Sequence, residues 1–556
     1  MPLQSLTSAA SDFAPASGST PGPAAFLDAD ARSGPTDNGK PSYTIDQAGN
    51  QIIRGEPGWG PLGQSYTVTY AYRADAPAAM PDDTAGFQQF NSAQIDQAEL
   101  SIKAWEDVAN IHFVRVGSGD TGAAAYSDKA TILLGDYTTG SAGAAAFTYF
   151  PGPTAASSQA GDLWVNVSLS YNANPSLGNY GAMTLTHELG HAIGLAHPSD
   201  YDASANTTLT YGADASYYED DRQYSLMSYF SESNTGANFG GAYPAAPMLD
   251  DIKAAQLEYG ANMSTRTGDT TYGFNSNADE PWFVATSKLT KLVFAVWDAG
   301  GHNTFDFSGY SQNQVIDLHA GNFSNVGGLV GNVAIAEGVT IQAAIGGSGA
   351  DQIIGNDAGD SLTGGAGADT ITAGNGANLI RAGDGNDSVQ GGAGFDDVNG
   401  NLGDDTIVGH SAVGDWLVGG QGNDLISTST ANNILYGNLG NDTLTGGTGG
   451  DILRGGQGDD VIHAGSGAEW ISGDRGNDTI YGGSGADTFH TFTGAGVDQV
   501  VGFDPAKGDH VQIDLGTTYT LSQSGADTLI NMGNGDEMIL KNVALATLPI
   551  GWIFTL

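Results

Sequence analysis

The chain has 556 residues, more than the roughly 250–300 that a single hydrophobic core accommodates, so more than one domain is expected. It contains 62 aspartate and glutamate residues against 17 lysine and arginine residues, and its formal net charge is −45. This charge excludes nucleic acid and anionic membrane surfaces as partners, because both require a basic patch. Cysteine is absent, which excludes disulfides and thiolate nucleophiles and leaves bound cations as the natural stabilisers.

Residues 1–38 are rich in alanine, serine, proline and glycine, and we expect a flexible N-terminal segment or a propeptide there. The first basic residue is Arg32, and the stretch has neither the charged nor the apolar region of a Sec-type signal peptide. No apolar run approaches the roughly 18 residues of a membrane span. We therefore expect no membrane insertion, and we expect any export signal to lie at the C-terminus.

Residues 39–262 have the mixed periodicity of an α+β domain. Apolar residues recur at helical spacing over 92–110, which predicts an amphipathic helix. Runs typical of strands follow at 111–116, 130–134 and 163–167. The apolar stretch 144–149 is either an edge strand that pairs with an extended substrate or part of the core. A second helix is predicted over 184–195.

The second predicted helix carries a histidine motif typical of a metal site. Residues four apart share a helical face, so His187 and His191 can present imidazole nitrogens to one Zn²⁺. Glu188 lies beside them, placed to act on a metal-bound water. Gly194 can end the helix in a left-handed conformation, which directs His197 to the same ion. Three histidines leave one position open, as a catalytic zinc requires.

Residues 346–490 repeat with a nine-residue period over sixteen units, with one extra residue in the unit at 409–418. Each unit is predicted to form a six-residue glycine-rich turn followed by a three-residue strand. A disordered acidic linker has no reason to keep an apolar residue in phase, so the period predicts a parallel β-roll with two units per coil. The inward residues are Ile353, Leu362, Ile371, Ile380, Val389, Val398, Ile407, Leu417, Ile426, Leu435, Leu444, Leu453, Ile462, Ile471, Ile480 and Phe489.

The sixth position of the unit is aspartate except at Asn378, Asn433 and Glu469. Aspartate supplies the hard, anionic oxygen that Ca²⁺ prefers, and glycine lets carbonyl groups face an ion. We therefore predict multiple structural calcium ions in the turns on each edge of the roll. The candidate ligands are Asp351, Asp360, Asp369, Asp387, Asp396, Asp405, Asp424, Asp442, Asp451, Asp460, Asp478 and Asp487.

The histidine motif has the extended spacing HExxHxxGxxH over 187–197, and Ser225-Leu226-Met227-Ser228-Tyr229 follows downstream. Together they resemble the metzincin zinc signature and its Met-turn. With the repeats, the chain resembles the serralysins, bacterial metzincins joined to a calcium-binding repeat (RTX) domain. The likeness covers nearly everything after residue 38 and includes the stretches 39–48, 217–230, 247–262, 296–310 and 338–351.

The resemblance implies roles for particular residues. His187, His191 and His197 would bind one catalytic zinc ion, with Glu188 as general base. Met227 would form the floor of the site, and Tyr229 would ligate zinc and swing away to stabilise the oxyanion. Calcium ligands are also implied at Arg266, Gly268, Thr270, Asp298, Gly300 and Gly301.

Three features of the chain depart from the serralysin pattern. Asn303 stands where serralysins usually carry aspartate, so we expect that calcium site to be weakened. The roll has more units than is usual for the family. The C-terminal residues 552–556 are apolar but lack the acidic residue that often precedes such a tail. Type I export through an ABC transporter is still the expected route.

The predicted fold class is an α+β metzincin catalytic domain followed by an all-β parallel β-roll. After the N-terminal segment we expect the following regions: 39–262, catalytic; 263–345, a β-rich connection with calcium sites; 346–490, the roll; 491–556, a β cap with the secretion signal. The predicted function is that of a secreted, extracellular zinc-dependent endopeptidase acting on proteins or peptides.

The sequence leaves three alternative functions open. One is an adhesive or surface-layer-associated calcium-roll protein with a vestigial protease domain, which the intact Glu188 disfavours. A second is a protease that uses its long roll to dock on a cell-surface layer. The third is a metzincin that cleaves a non-peptide amide.

Overall fold

The computed structural model describes residues 4–7, 26–34, 36, 38–55, 57–140, 144–201 and 209–556. The predicted N-terminal segment 1–38 falls largely outside these residues. The chain forms two compact units, one of residues 1–303 and 320–340, the other of residues 304–319 and 341–556. The predicted connection 263–345 is therefore divided between them. None of the described helices is long and apolar enough to cross a membrane.

The helices belong to the first unit, apart from one short turn near the C-terminus. The α-helices are α1 (Ile45–Ile52), α2 (Ser92–Val108), α3 (Ser170–Ala173), α4 (Tyr180–Ala192), α5 (Tyr211–Asp214) and α6 (Leu249–Tyr259). Short 3-10 turns lie at Ala29–Ala31, Ala123–Ala125, Glu232–Asn234, Pro281–Phe283 and Leu545–Thr547.

The strands up to residue 345 are short. They are β1 (Gln4–Thr7), β2 (Tyr66–Tyr72), β3 (Thr84–Ala85), β4 (Ile111–Arg115), β5 (Ile132–Tyr137), β6 (Thr139–Gly140), β7 (Ala144–Thr148), β8 (Leu163–Asn166), β9 (Thr271–Gly273), β10 (Phe294–Val296), β11 (Thr304–Asp306), β12 (Val315–Asp317), β13 (Phe323–Ser324), β14 (Val333–Ile335) and β15 (Ala343–Ile345).

The remaining strands all belong to the second unit. They are β16 (Gln352–Ile354), β17 (Ser361–Ala366), β18 (Thr370–Thr372), β19 (Asn378–Asp384), β20 (Ser388–Gln390), β21 (Asp396–Leu402), β22 (Thr406–Val408), β23 (Trp416–Gln421), β24 (Leu425–Ser427), β25 (Ile434–Leu439), β26 (Thr443–Thr445), β27 (Ile452–Gln457), β28 (Val461–His463), β29 (Trp470–Arg475), β30 (Thr479–Tyr481), β31 (Thr488–Thr491), β32 (Val497–Val501), β33 (His510–Ile513), β34 (Thr520–Ser524), β35 (Asp527–Gly533), β36 (Asp536–Leu540) and β37 (Ile553–Thr555).

The main sheet of the first unit has the order β1-β7-β8-β5-β2-β4. Strands β4, β2, β5 and β8 are parallel, whereas β7 runs antiparallel to both β8 and β1. Helix α4 packs against α2 and β7, which places the histidine motif beside the sheet. All five residues of β7 are buried.

The helices and strands predicted in this unit are present. Helix α2 coincides with the helix predicted over 92–110, and β4, β5 and β8 overlap the three predicted strands. Helix α4 begins at Tyr180, earlier than predicted, because the Asn179 side chain caps it by accepting a hydrogen bond from the Ala182 N–H at 2.9 Å. Residues 26–34 also pack here, and Arg32 forms a buried ion pair with Asp250 at 2.8 Å.

The second unit contains a parallel β-roll, which confirms the predicted fold class, and ends in the antiparallel strands β34, β35 and β36. The strands of the roll alternate between two sheets, and each pairs with the strand one coil later, as Ile353 pairs with Ile371 and Leu362 with Ile380. All sixteen predicted inward residues are at most 1% exposed. The extra residue at 409–418 is absorbed within one turn, and Ile407 still pairs with Ile426.

Candidate metal centre and active site

Three histidines meet at the end of helix α4. His187 and His191 lie on one face of the helix, and Gly194 follows it with φ +99°, as the sequence predicted. A Cβ at Gly194 would lie 2.9 Å from the Pro57 carbonyl oxygen, so the site also excludes a larger residue. The chain then turns back and brings His197 to the other two histidines. One ligand nitrogen from each of the three side chains lies within 4.8 Å of the others.

Each imidazole is held through its Nδ1 atom by a backbone carbonyl. The acceptors are Leu226 for His187 at 2.9 Å, Leu195 for His191 at 2.6 Å and Tyr201 for His197 at 2.9 Å. These contacts place the proton on Nδ1 and leave a lone pair on Nε2. Burial lowers the pKa of His191 to about 4 and the pKa values of His187 and His197 well below the usual range, so all three are neutral ligands.

The donor set fits a zinc ion. The Nε2 atom of His187 is buried and has no hydrogen-bond partner among the described residues. The Nε2 atoms of His191 and His197 face each other at 3.1 Å, although Nε2 is the lone-pair nitrogen of both rings. Three neutral imidazole nitrogens facing one point are a zinc donor set, and backbone carbonyls that hold the other ring nitrogens are the usual support for it.

Glu188 is fully buried beside the histidines. Its Oε2 accepts a hydrogen bond from the Thr148 hydroxyl on β7 at 2.7 Å, and its Oε1 has no partner within the described part of the chain. Burial raises the pKa of the Glu188 carboxyl to about 8, and the Thr148 hydrogen bond opposes this shift. A cation on the histidines would lower the pKa again, which favours the carboxylate form that a general base requires.

The stretch predicted to be a Met-turn lies directly under the histidines. Met227 is fully buried, and a Cβ at Gly190 would lie 2.5 Å from the Met227 sulfur, so a larger residue at this position of α4 would displace the Met227 side chain. The Tyr229 ring centroid lies 4.3 Å from that of His197 and 5.9 Å from that of His187. The structure therefore brings the three histidines, Glu188, Met227 and Tyr229 into one site.

Known proteins resemble both parts of the chain. Residues 261–393 match the family described as Peptidase M10 serralysin C terminal. The RTX calcium-binding nonapeptide repeat matches residues 381–412, 411–444, 436–468, 445–480 and 463–500. Serralysin C of Dickeya chrysanthemi is 49% identical over 323 residues, which cover 57% of this chain and 65% of the relative. The chain is similar to the serralysins over this region.

A second relative gives the same result. Metalloprotease AprA of Pseudomonas entomophila (strain L48) is 48% identical over 329 residues, which cover 58% of this chain and 65% of the relative. The chain thus spans less than two thirds of the length of these serralysin relatives. Among solved structures, the extracellular lipase LipA from Serratia marcescens aligns over 32% of this chain and 40% of its own, with 19% identity and a TM-score of 0.15. That likeness is too small to bear on the fold.

The residues implied by the serralysin resemblance as a separate calcium site come together in the first unit. Gly301 lies against the backbone of Gly268, so closely that a Cβ on Gly301 would lie 2.3 Å from the Gly268 carbonyl. The Asn303 side chain accepts a hydrogen bond from the Thr270 N–H at 3.1 Å. Both Asp298 oxygens already accept hydrogen bonds, from Gly300 N–H and the Tyr272 hydroxyl. Arg266 donates to the Trp297 carbonyl at 2.7 Å.

The RTX repeats place eleven of the twelve candidate aspartates in the turns of the roll, and Asp396 is the first residue of β21; each of the twelve is at most 3% exposed. Several of them carry a buried carboxylate oxygen with no hydrogen-bond partner among the described residues. An unpartnered buried carboxylate is costly unless a cation neutralises it, so the turns fit calcium. The chain therefore carries a calcium-binding RTX domain, and its turns have the donor chemistry that the ion requires.

Two buried carboxylates that help to position the histidines were not predicted from the sequence. Asp251 accepts hydrogen bonds from the Ser225 hydroxyl at 2.6 Å and the Leu226 N–H at 2.7 Å, and Leu226 holds His187. Asp220 accepts a hydrogen bond from the Tyr201 hydroxyl at 2.8 Å, and Tyr201 holds His197. The only sequence signal was a run of adjacent acidic residues at each position, 219–221 and 250–251.

Proposed function

We propose that this chain is a secreted, zinc-dependent endopeptidase that hydrolyses peptide bonds in proteins. The observation that carries the proposal is the buried cluster of neutral His187, His191 and His197 beside the unpartnered Oε1 of Glu188. The 49% identity to Serralysin C supports it. We assign the catalytic domain to residues 39–262, as the sequence predicts.

The chemistry follows from the positions of the side chains. A zinc ion on the histidines would supply the Lewis acidity that acidifies a water molecule and polarises the scissile carbonyl. Glu188 takes the proton of the attacking water and passes it to the leaving amine. The Tyr229 hydroxyl donates a hydrogen bond to the oxyanion that forms on the carbonyl. Burial of Glu188 keeps this proton transfer away from bulk water.

The substrate would bind as an extended strand along β7. In the structure, β1 already pairs antiparallel with β7, with Gln4 opposite Thr148 and Leu6 opposite Ala146. This side of β7 therefore accepts an extended segment, and Thr148 connects it to Glu188. Backbone hydrogen bonds to β7 would supply affinity that is largely independent of the substrate sequence.

Secretion through an ABC-type exporter is part of the proposal. The acidic, cysteine-free composition and the calcium-binding repeats suit a chain that folds outside the cell, where calcium is abundant. Docking of the roll on a cell-surface layer is a further proposal, which rests only on the length of the repeat array.

The deciding experiment compares two buried glutamates. Glu188→Gln should lower proteolysis of a denatured protein by about 10²–10⁴-fold while about one zinc per chain remains bound, because the residue is a base and not a ligand. Glu258→Gln, at a glutamate of α6 that is 2% exposed, is the matched control and should keep activity. His197→Ala should lose both zinc and activity. Wild-type turnover in Glu188→Gln, or full zinc occupancy in His197→Ala, would overturn the proposal.

A further inference from the structure

The turns of the roll form two edges, because successive units alternate between them. The first edge consists of the alternate turns whose sixth residues run from Asp351 to Asp478. The second edge consists of those that run from Asp360 to Asp487. Both edges belong to the same repeat, yet their sequences and hydrogen bonds differ.

The sequence difference is systematic. Every turn of the first edge ends in aspartate and has glycine at its fourth position. All three replacements of the aspartate, Asn378, Asn433 and Glu469, fall on the second edge. The inserted residue at 409–418 and the fourth-position alanines Ala358 and Ala431 fall there too. The first edge thus keeps the full set of calcium-binding residue types, and the second edge does not.

The first edge has carboxylate oxygens with no protein partner. In seven successive coils, from Asp369 to Asp478, the aspartate Oδ2 is buried without a hydrogen-bond partner among the described residues. The Oδ1 of each of these aspartates accepts the N–H of the equivalent residue one coil earlier, at 2.7–2.9 Å. The residues themselves are at most 3% exposed. A column of buried, unpartnered anionic oxygens requires a cation.

The second edge supplies its own donors. Asp396 Oδ2 accepts the Gly392 N–H at 2.8 Å, and Asp451 Oδ2 accepts the Gly447 N–H at 3.0 Å. The amide of Asn378 donates to Asp396 Oδ1 at 2.7 Å. In the same way, the amide of Asn433 donates to Asp451 Oδ1 at 3.0 Å. Within the described turns of this edge, only Asp360 and Glu469 carry a buried carboxylate oxygen with no hydrogen-bond partner.

We infer that calcium binds as a continuous column along the first edge, and that the second edge is closed mainly by protein hydrogen bonds. On the first edge, neighbouring coils lie about 4.7–4.9 Å apart, so one carboxylate can bridge successive ions. On the second edge the amides of Asn378 and Asn433 take the place of a cation. The inference does not depend on the proposed peptidase activity.

The test uses a matched pair of substitutions in the full-length chain. Asp442 on the first edge and Asp451 on the second belong to adjacent units, and both are 1% exposed. Asp442→Asn should bind about one calcium ion fewer per chain at saturating calcium and should need more calcium to fold. Asp451→Asn should keep the wild-type ion count, because the Asp451 Oδ2 atom accepts the Gly447 N–H and binds no ion. Native mass spectrometry counts the ions, and circular dichroism checks the fold.

The reverse substitution tests the same idea without removing a carboxylate. Asn433→Asp restores aspartate on the second edge and should leave the ion count unchanged. A gain of an ion in Asn433→Asp, or equal ion losses in Asp442→Asn and Asp451→Asn, would overturn the inference. Asp387→Asn and Asp396→Asn repeat the comparison elsewhere in the roll, should one variant of the first pair fail to fold.

Discussion

At the scale of single residues, the histidine motif of the site was predictable from the sequence, whereas the residues that hold it in place were not. The histidine spacing over 187–197 predicted which side chains converge, because helix geometry and Gly194 determine their directions. Thr148 and Asp251 contact the site from 40 and 25 residues away in the chain, through Glu188 and Leu226. No local pattern predicts such contacts, since they depend on how β7 and α6 pack.

Thr148→Val tests the role of the hydroxyl that holds Glu188. The hydrogen bond lowers the pKa of Glu188, so its loss should raise that pKa. Since the base must be deprotonated, the acid limb of the kcat/KM profile should move to higher pH, by about 1–2 pH units for a hydrogen bond to a charged group worth roughly 1.5–3 kcal/mol.

The matched control for this prediction is Thr184→Val. The Thr184 hydroxyl is buried in the same helix as Glu188 but donates to the Tyr180 carbonyl at 2.8 Å. Its removal should leave the pH profile in place, and any effect should appear in stability. An acid limb that shifts equally in both variants would contradict the assigned role of Thr148.

At the scale of elements, the repeats were the most predictable part of the chain. One apolar residue per nine predicted the strand positions, the inward face and the pairing of alternate units, from Ile353 to Phe489. The predicted strand length of three residues was wrong for one sheet, where strands such as β19 extend into the following turn. The sequence also contains the difference between the two edges, as Asn378, Asn433 and Glu469. Only the hydrogen bonds in the structure show what these replacements do. The start of α4 was missed, because the cap at Asn179 lies before the apolar pattern.

Strand β1 gives a prediction about access to β7. Because β1 pairs with the side of β7 proposed to bind substrate, deletion of residues 1–25 should lower KM for an unstructured protein substrate and leave kcat little changed. Deletion of residues 1–3 keeps β1 and is the control. Steady-state kinetics with zinc and calcium saturating would measure the effect. An identical KM in both deletion variants would show that β1 does not compete with substrate.

At the scale of the whole molecule, charge separates the behaviour of the two units. Residues 351–500 contain 21 acidic residues and three basic ones, a net charge of −18. The fold places many of these carboxylates in stacked turns, where they repel one another and where burial raises the pKa of Asp405 and Asp442 to about 7. The first unit instead has a broad core with buried aromatic residues such as Trp105 and Trp164. Its stability therefore depends much less on calcium.

The roll should consequently fold only when calcium is present. One buried apolar side chain per nine residues does not offset the conformational entropy of a glycine-rich chain or the repulsion of its carboxylates. Calcium neutralises the turns and links successive coils, so metal binding and folding are coupled. In metal-free full-length protein, amide protons over 346–490 should exchange rapidly. They should become protected cooperatively as Ca²⁺ rises through about 10⁻⁴–10⁻³ M, the range of extracellular modules. Zinc alone should not restore this protection, and α2 and α4 should be protected throughout. Hydrogen exchange resolved by mass spectrometry measures each region separately, and equal protection of 346–490 with and without calcium would refute calcium-driven folding.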